Sequence, residues 1–458
     1  MTNQVIDFTP TNTAPPQSIL SLSSQDYSLL TDLYQLTMTA CYVGESLDRS
    51  AASFELFVRK LPKGFGYLIA MGLAQALEYL EQLQFTPAQI DELQATGIFK
   101  NVPDRFWELL ATARFTGDVW AVPEGTAIFA NEPILRIEAP LWQAQIIETY
   151  LLNTINYQTL VATRAARLRD VAGADAILLE FGTRRAFSPQ ASIWAARAAI
   201  AGGLDTTSNV LAALKLGCQP SGTMAHALVM ALNAIEGSEQ AAFRAFHRYF
   251  PGAPLLIDTY DPIAAATELA QQVAAGEIEL SGIRLDSGDL VTLSQQVKAI
   301  LPNVDIFASG DLDEWGIAKL RAAGAPINGY GLGTKLVTGS PVNGVYKLVE
   351  IDNILTMKKS PDKMTYPGRK QIFRQFKDGQ FTGDTLGLAS EGEGLLQLVM
   401  NKGNRLQPDD SLVTIRHRTD ASVASLTTEI RDINYDGLTP VSISSVLAEL
   451  TQDLKDKK

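Results

Sequence analysis

From residue 176 onward the chain repeats one rhythm: a short apolar run, a polar or glycine-rich turn, then a helix-like segment. The runs are AILLEF (176–181), LLIDTY (255–260), GIRL (282–285), VDIFA (304–308) and INGYGLGT (327–334). Segments such as SIWAARAAIAG, AAATELAQQVAAG, LVTLSQQVKAI and WGIAKLRAAG stand between most of them. A strand that is apolar on both faces belongs inside a sheet covered on both sides, which is the habit of parallel β/α units. In a parallel barrel the strand ends converge on one face, where active sites gather. The polar residues that follow each run are therefore the first candidates for chemistry.

The flanks read differently. Residues 26–45 have helical apolar spacing, SFELFVRKLP alternates like a strand, and GLAQALEYLEQL reads as a helix. Residues 115–140 hold β-rich runs broken by Gly, Pro and Asn, and a helical stretch covers about 141–171. After 345 the pattern turns β-like again, and the chain ends in a helix-like segment with a charged tail. The expected layout is a flexible tail at 1–25, an α+β region at 26–150, a catalytic barrel at 151–345, and a β/α region at 346–458. The last packs with the N-terminal region.

Charge and composition exclude several roles. The net charge of −12 argues against nucleic acid as a partner, and an anionic small substrate would need local positive charge. No apolar run approaches the ~20 residues of a membrane span. The first residues lack the basic and apolar regions of a signal peptide. Two cysteines, Cys41 and Cys218, form no disulfide or zinc spacing, which fits a reducing, cytoplasmic setting.

The strand ends supply candidate groups. EFGTRR (180–185) sets Phe181, a hydroxyl and two arginines past a strand, and guanidinium forks suit carboxylates and phosphates. IDTYD (257–261) and RLDSGD (284–289) bring carboxylates that suit magnesium with substrate phosphates, or that cap helices. SGDLDE (309–314) and GYGLGT (329–334) bring glycines that let backbone N–H groups approach a phosphate. KKSPDKMTYPGRK (358–370) reads equally as a solvated hairpin loop or a phosphate-gripping one. SGTMAH (221–226) places one of only three histidines, His226, at a turn before an apolar helix. His247 lies in FRAFHRYF, an ordinary helix pattern, and His417 lies in RHR outside the apparent barrel.

Taken together, LLTDLYQLTM, FELFVRKLP, EFGTRRAFSP, GGLDTTSNVLAA, GTMAHALV, IDTYD, IRLDSGDL, GLGTKLVTG and VYKLVE resemble the nicotinate phosphoribosyltransferase family, in family order from about 29 to 370. The resemblance implies an irregular parallel α/β barrel of the type II phosphoribosyltransferase kind, with a smaller α+β domain built from both chain ends. It implies the joining of nicotinate to phosphoribosyl pyrophosphate, giving nicotinate mononucleotide and pyrophosphate, the first step of NAD salvage from nicotinate. It also implies coupling to ATP hydrolysis through a phosphohistidine at His226. By the same resemblance Tyr34 and Phe181 sandwich the pyridine ring. Arg184 and Arg284 meet its carboxylate, with Thr223 nearby. Asp258 and Asp286 face magnesium and the ribose, while Gly310, Asp311, Gly333 and Thr334 hold ribose and phosphate. Tyr34 would reach a neighbouring subunit's site in a homodimer. Three alternatives stay open: a nicotinamide-using relative, a quinolinate-using one, and a non-catalytic phosphate- or nucleotide-binding barrel. Asp205 is the acid that matters for the first of these, because an acid can accept an amide N–H and would repel a carboxylate.

Overall fold

A computed structural model describes residues 22–360 and 363–457. Residues 1–21 of the expected tail lie outside the described residues. Its end is not free: Ser24–Asp26 form a 3-10 turn, and the Gln25 carbonyl accepts a hydrogen bond from Gln89 Nε2 at 2.9 Å.

The strand–helix rhythm becomes a six-stranded parallel sheet. Its spatial order is Thr206–Thr207, Ile177–Glu180, Gly329–Leu332, Asp305–Ala308, Gly282–Leu285 and Leu255–Leu256. That is chain order read around a ring and cut at one seam, between Thr206–Thr207 and Leu255–Leu256. The helices Pro189–Ala201, Pro262–Ala274, Leu290–Ile300 and Glu314–Ala322 fill the crossovers. Burial explains the apolar runs: all four residues of Gly329–Leu332 are buried, as are Ile283 and Leu285 at 0% exposure. The short strand Thr206–Thr207 gave no apolar signal, because two threonines flanked by polar residues carry none.

The carboxylates at the strand ends divide into two groups. Asp261, Asp289 and Asp313 cap their helices, each accepting from backbone N–H groups of the first turn. Asp258 and Asp286 cap nothing. They stand one strand-end apart, and Asp258 is tied to the loop of Asp286, as described below.

A second, seven-stranded sheet interleaves the two ends of the chain. Gly344–Ile351 pairs antiparallel with Ala51–Val58, which pairs with Pro133–Pro140. Gln397–Asn401 pairs with Asp118–Ala121 on the far side. One core runs through both ends, from Leu36 and Phe54 to Leu386 and Leu447. A buried ion pair locks the joint, with Lys370 Nζ 2.7 Å from Glu55 and both nearly inaccessible, while Arg374 and Asp384 pair at 2.6 Å within the C-terminal hairpin. Breaking either pair on one side would strand a buried charge. The helix Leu412–Ser425, unforeseen in the sequence, packs between this part and the parallel sheet through Ile415 and Val423.

Candidate active site

Parallel pairing carries the ends of the strands to one rim. Glu180 pairs with Leu332, Ala308 with Leu285, and Leu256 with Arg284. Phe181, Asp286, Gly310 and Gly333 therefore emerge side by side, although up to 152 residues separate them in the chain.

Behind this rim lies a cavity of about 180 Å³. Its walls include Phe181, Thr223, Arg284, Phe307 and Gly331. That volume is below the roughly 300–1,000 Å³ usual for drug-sized ligands, so it suits one small ring. The Phe181 ring is seated by a glycine: a Cβ on Gly331 would come 2.6 Å from two of its carbons. INGYGLGT thus holds a glycine that serves an aromatic ring rather than a phosphate, a use that the sequence pattern does not separate from the other.

Arg284 dominates the cavity's electrostatics. Its Nη1 donates to Thr223 Oγ1 at 3.0 Å and its Nη2 to the Met224 carbonyl at 2.9 Å. Its Nε is buried with no partner, and no carboxylate lies within ion-pair distance among the described residues. Burial pulls the guanidinium below its ordinary pKa, and nearby Arg184 adds to this, against Asp286 and Asp258. The guanidinium carbon stands 5.8 Å from the centre of the Phe181 ring. An aromatic face beside an unpaired, desolvated cation is a receptor for a flat anion. Arg184 is exposed on the turn after Phe181 and is not part of the cavity wall.

Glu180 directly precedes Phe181 and is 0% exposed. It accepts from Gly182 N and Thr207 Oγ1 and has no cation beside it among the described residues. Burial raises its pKa, against these two hydrogen bonds. Sequence reading passed over it, because nothing local distinguishes a buried glutamate from an exposed one.

The carboxylates sit beside this cavity. Asp258 Oδ2 accepts from Asp286 N at 2.7 Å and Ser287 Oγ at 2.9 Å, while its Oδ1 is buried without a partner. Asp286 accepts from Ser309 Oγ. Gly310 has φ +98°, and a Cβ there would lie 2.2 Å from the Asp286 carbonyl, so only glycine lets these two loops touch. Asp311 follows with φ +51°. Gly333 and Thr334 open the short helix Thr334–Val337. No group of three or more metal-type ligands occurs among the described residues. The two aspartates suit magnesium all the same, because that ion keeps waters and takes substrate phosphate oxygens beside one or two carboxylates.

His226 is the first residue of the helix His226–Glu236. Its Nδ1 lies 2.9 Å from Thr259 Oγ1, between Asp258 and the Asp261 cap. The ring is thus held at the same rim as the aspartates.

Tyr34 is elsewhere. It lies on the helix Leu33–Gly44, 47% exposed, and is not among the residues around the cavity. Burial and the nearby charge of Glu148 raise its pKa. Glu148 in turn stands 3.9 Å from Lys347, whose pKa is lowered by burial and by Arg59 and Lys358. A tyrosine and a basic cluster therefore share one surface of the part built from both chain ends. In the basic loop, Arg369 and Lys370 prove to be ion-paired with Glu138, Glu350 and Glu55. Asp205 points away from the cavity and binds Arg169 and Arg416 at 2.7 and 3.0 Å. Three clefts, of about 540, 940 and 290 Å³, are larger, but Arg431, Arg369 and Arg418 in them are already matched by carboxylates.

Residues 29–156 match the nicotinate phosphoribosyltransferase (NAPRTase) N-terminal domain, and residues 177–308 match the nicotinate phosphoribosyltransferase (NAPRTase) family. The chain is 41% identical over 442 residues to a nicotinate phosphoribosyltransferase of Mycobacterium tuberculosis, covering 93% of each. It is 42% identical over 365 residues to one of Bacillus subtilis, covering 76% of this chain and 73% of that one. The crystal structure of human nicotinic acid phosphoribosyltransferase superposes with a TM-score of 0.82 at 30% identity, covering 93% of this chain and 99% of that one.

Proposed function

The chain belongs to the nicotinate phosphoribosyltransferase family, and from that premise we propose how its residues join nicotinate to the ribose of phosphoribosyl pyrophosphate. The observation that carries the reading is the half-buried Arg284 guanidinium beside the Phe181 ring, with no ion-paired carboxylate among the described residues and its Nε without a partner. Nicotinate lays its ring on Phe181 and gives its carboxylate to Arg284, with Arg184 adding positive potential from the rim. The pyridine nitrogen is already a nucleophile. The protein has only to aim it at the sugar and to hold the departing pyrophosphate. Asp258 and Asp286 would face the ribose and would hold magnesium when it is bound. That ion offsets charge on the leaving group, and the unpartnered Asp258 Oδ1 is the oxygen free to meet it. Gly310 and Asp311, with Gly333 and Thr334, offer backbone N–H groups to phosphate oxygens.

The absence of a carboxylate among the cavity walls favours nicotinate over nicotinamide, and Asp205, the acid that the sequence left open, is engaged by two arginines. A single buried arginine suits one ring carboxylate better than the two of quinolinate. Purified protein given phosphoribosyl pyrophosphate and magnesium should convert nicotinate to its mononucleotide, with nicotinamide and quinolinate far behind. Equal turnover of nicotinamide would overturn the assignment. On this reading ATP is a co-substrate: its terminal phosphoryl passes to His226, and hydrolysis of the phosphohistidine drives synthesis forward, as in a ligase-type reaction.

The six parallel strands close into a barrel across the seam at Thr206–Thr207, with residues 151–345 as the catalytic unit. Residues 26–150 and 346–458 form the smaller one. The work is cytoplasmic, where the nucleotide substrates are. Tyr34 completes the ring sandwich of a partner subunit in a two-fold dimer, and the basic cluster beside it meets the partner's phosphates. Mixing inactive Tyr34→Ala with inactive Asp286→Ala should restore one intact site per mixed dimer. A verified mixed dimer without activity counts against shared sites.

A further inference from the structure

We propose that Phe307 is a plug that sets the depth of the pyridine pocket and thereby decides which ring-substituted nicotinates the enzyme accepts. This rests on the reading of the cavity as the nicotinate site. Phe307 lies on the strand Asp305–Ala308 and lines the cavity. The neighbouring strands make room for its ring with glycines. A Cβ on Gly329 would lie 2.7 Å from ring carbons Cδ1 and Cε1, and one on Gly282 would lie 3.0 Å from Cε2. Gly329 is the register partner of Phe307 on one side, and Gly282 is paired two residues earlier on the other. Neither glycine needs an unusual φ, so backbone conformation does not account for them. Their common feature is the phenyl ring between them.

The ring leans toward the strand starts: its carbons approach Gly282, two residues before Arg284 on the neighbouring strand, and Gly329, which pairs with Ile177. Thr223 and Phe181 mark the other end of the cavity, near the strand C-termini where the sugar arrives, and the Arg284 guanidinium reaches toward them from the level of Phe307. Ile177 and Pro254 mark the strand starts, and Ile177 is 39% exposed. A pyridine whose nitrogen faces the sugar, and whose carboxylate meets Arg284, turns its carbon 4 and carbon 5 edge inward. Phe307 is the bulky side chain at that inner end. With a small residue there, two glycines would face each other across the gap, and the pocket would lengthen by the volume of a phenyl ring. Substituents on the inner edge would then fit.

The test is steady-state kinetics of the full chain with phosphoribosyl pyrophosphate, magnesium and either nicotinate or 5-propylnicotinate. A misplaced methylene group costs roughly 10–200-fold in specificity, so the parent should disfavour the propyl compound by about two decades or more. In Phe307→Ala the ratio of kcat/KM for the propyl compound to that for nicotinate should rise at least about ten-fold, with nicotinate still turned over. Phe307→Val serves the same purpose if the alanine variant does not fold. An unchanged ratio in a folded variant that uses nicotinate overturns the proposal. A parent that does not use nicotinate at all refutes the reading of the site instead.

Discussion

Substitution His226→Ala is expected to abolish ATP-dependent phosphoenzyme while leaving slow, ATP-independent nucleotide synthesis. Loss of the label should be complete, because the other two histidines are badly placed. His247 lies in the last turn of Glu239–Tyr249, and His417 lies on the helix Leu412–Ser425, which contributes no residue to the cavity wall. His226 has the right setting. Its Nδ1 is engaged by Thr259, and it opens a helix whose N-terminal N–H groups favour phosphate charge nearby. An imidazole steadied through one nitrogen offers the other as nucleophile. Synthesis survives at a low rate because Phe181, Arg284 and the aspartates are untouched. Incubation with terminally labelled ATP, then peptide mapping, reads the result. The phosphoenzyme should be acid-labile and alkali-stable. Label on His247 or His417, or full ATP coupling in the variant, would remove His226 from the role.

Arg284→Ala is expected to erase most of the preference for nicotinate over nicotinamide. A charge-assisted hydrogen bond is worth roughly 1.5–3 kcal/mol, or about one to two decades in affinity. The buried Nε and the lack of a competing carboxylate place Arg284 toward the upper end. Arg184→Ala should act in the same direction but less, since Arg184 is exposed and screened by solvent. The order of the two effects is itself informative. Sequence reading set Arg184 first and Arg284 second, whereas the cavity geometry favours the reverse. If Arg184→Ala is the more damaging, the carboxylate sits at the rim and not beside Arg284.

The parallel sheet was legible because strands buried on both faces leave continuous apolar runs, and AILLEF, GIRL and VDIFA all became its members. Thr206–Thr207 was not, since a two-residue edge strand needs no apolar character. The aspartates could be named but not sorted. Asp286 and Asp289 stand three residues apart in one turn, yet one meets Ser309 and the other caps a helix. That difference depends on a loop from another strand, which no local pattern encodes. Arg284 likewise gained its weight from what is missing around it. The lack of a carboxylate in contact, with Asp286 and Asp258 only nearby, is a fact of three-dimensional packing, invisible in RLDSGD. The paired basic residues of the 358–370 loop show the opposite case, a charged run whose Arg369 and Lys370 are consumed in holding the sheet together.

On the proposed reading, a half-buried Arg284 without an ion-paired carboxylate makes this a pocket for a pyridine carboxylate. The most direct measurement is the equilibrium binding of nicotinate and nicotinamide to the unsubstituted protein and to Arg284→Ala, by calorimetry without phosphoribosyl pyrophosphate. The account predicts that the unsubstituted protein binds nicotinate at least about ten-fold more tightly, and that the gap closes in the variant. Equal affinities in the unsubstituted protein, or a preference that survives the loss of Arg284, would contradict it.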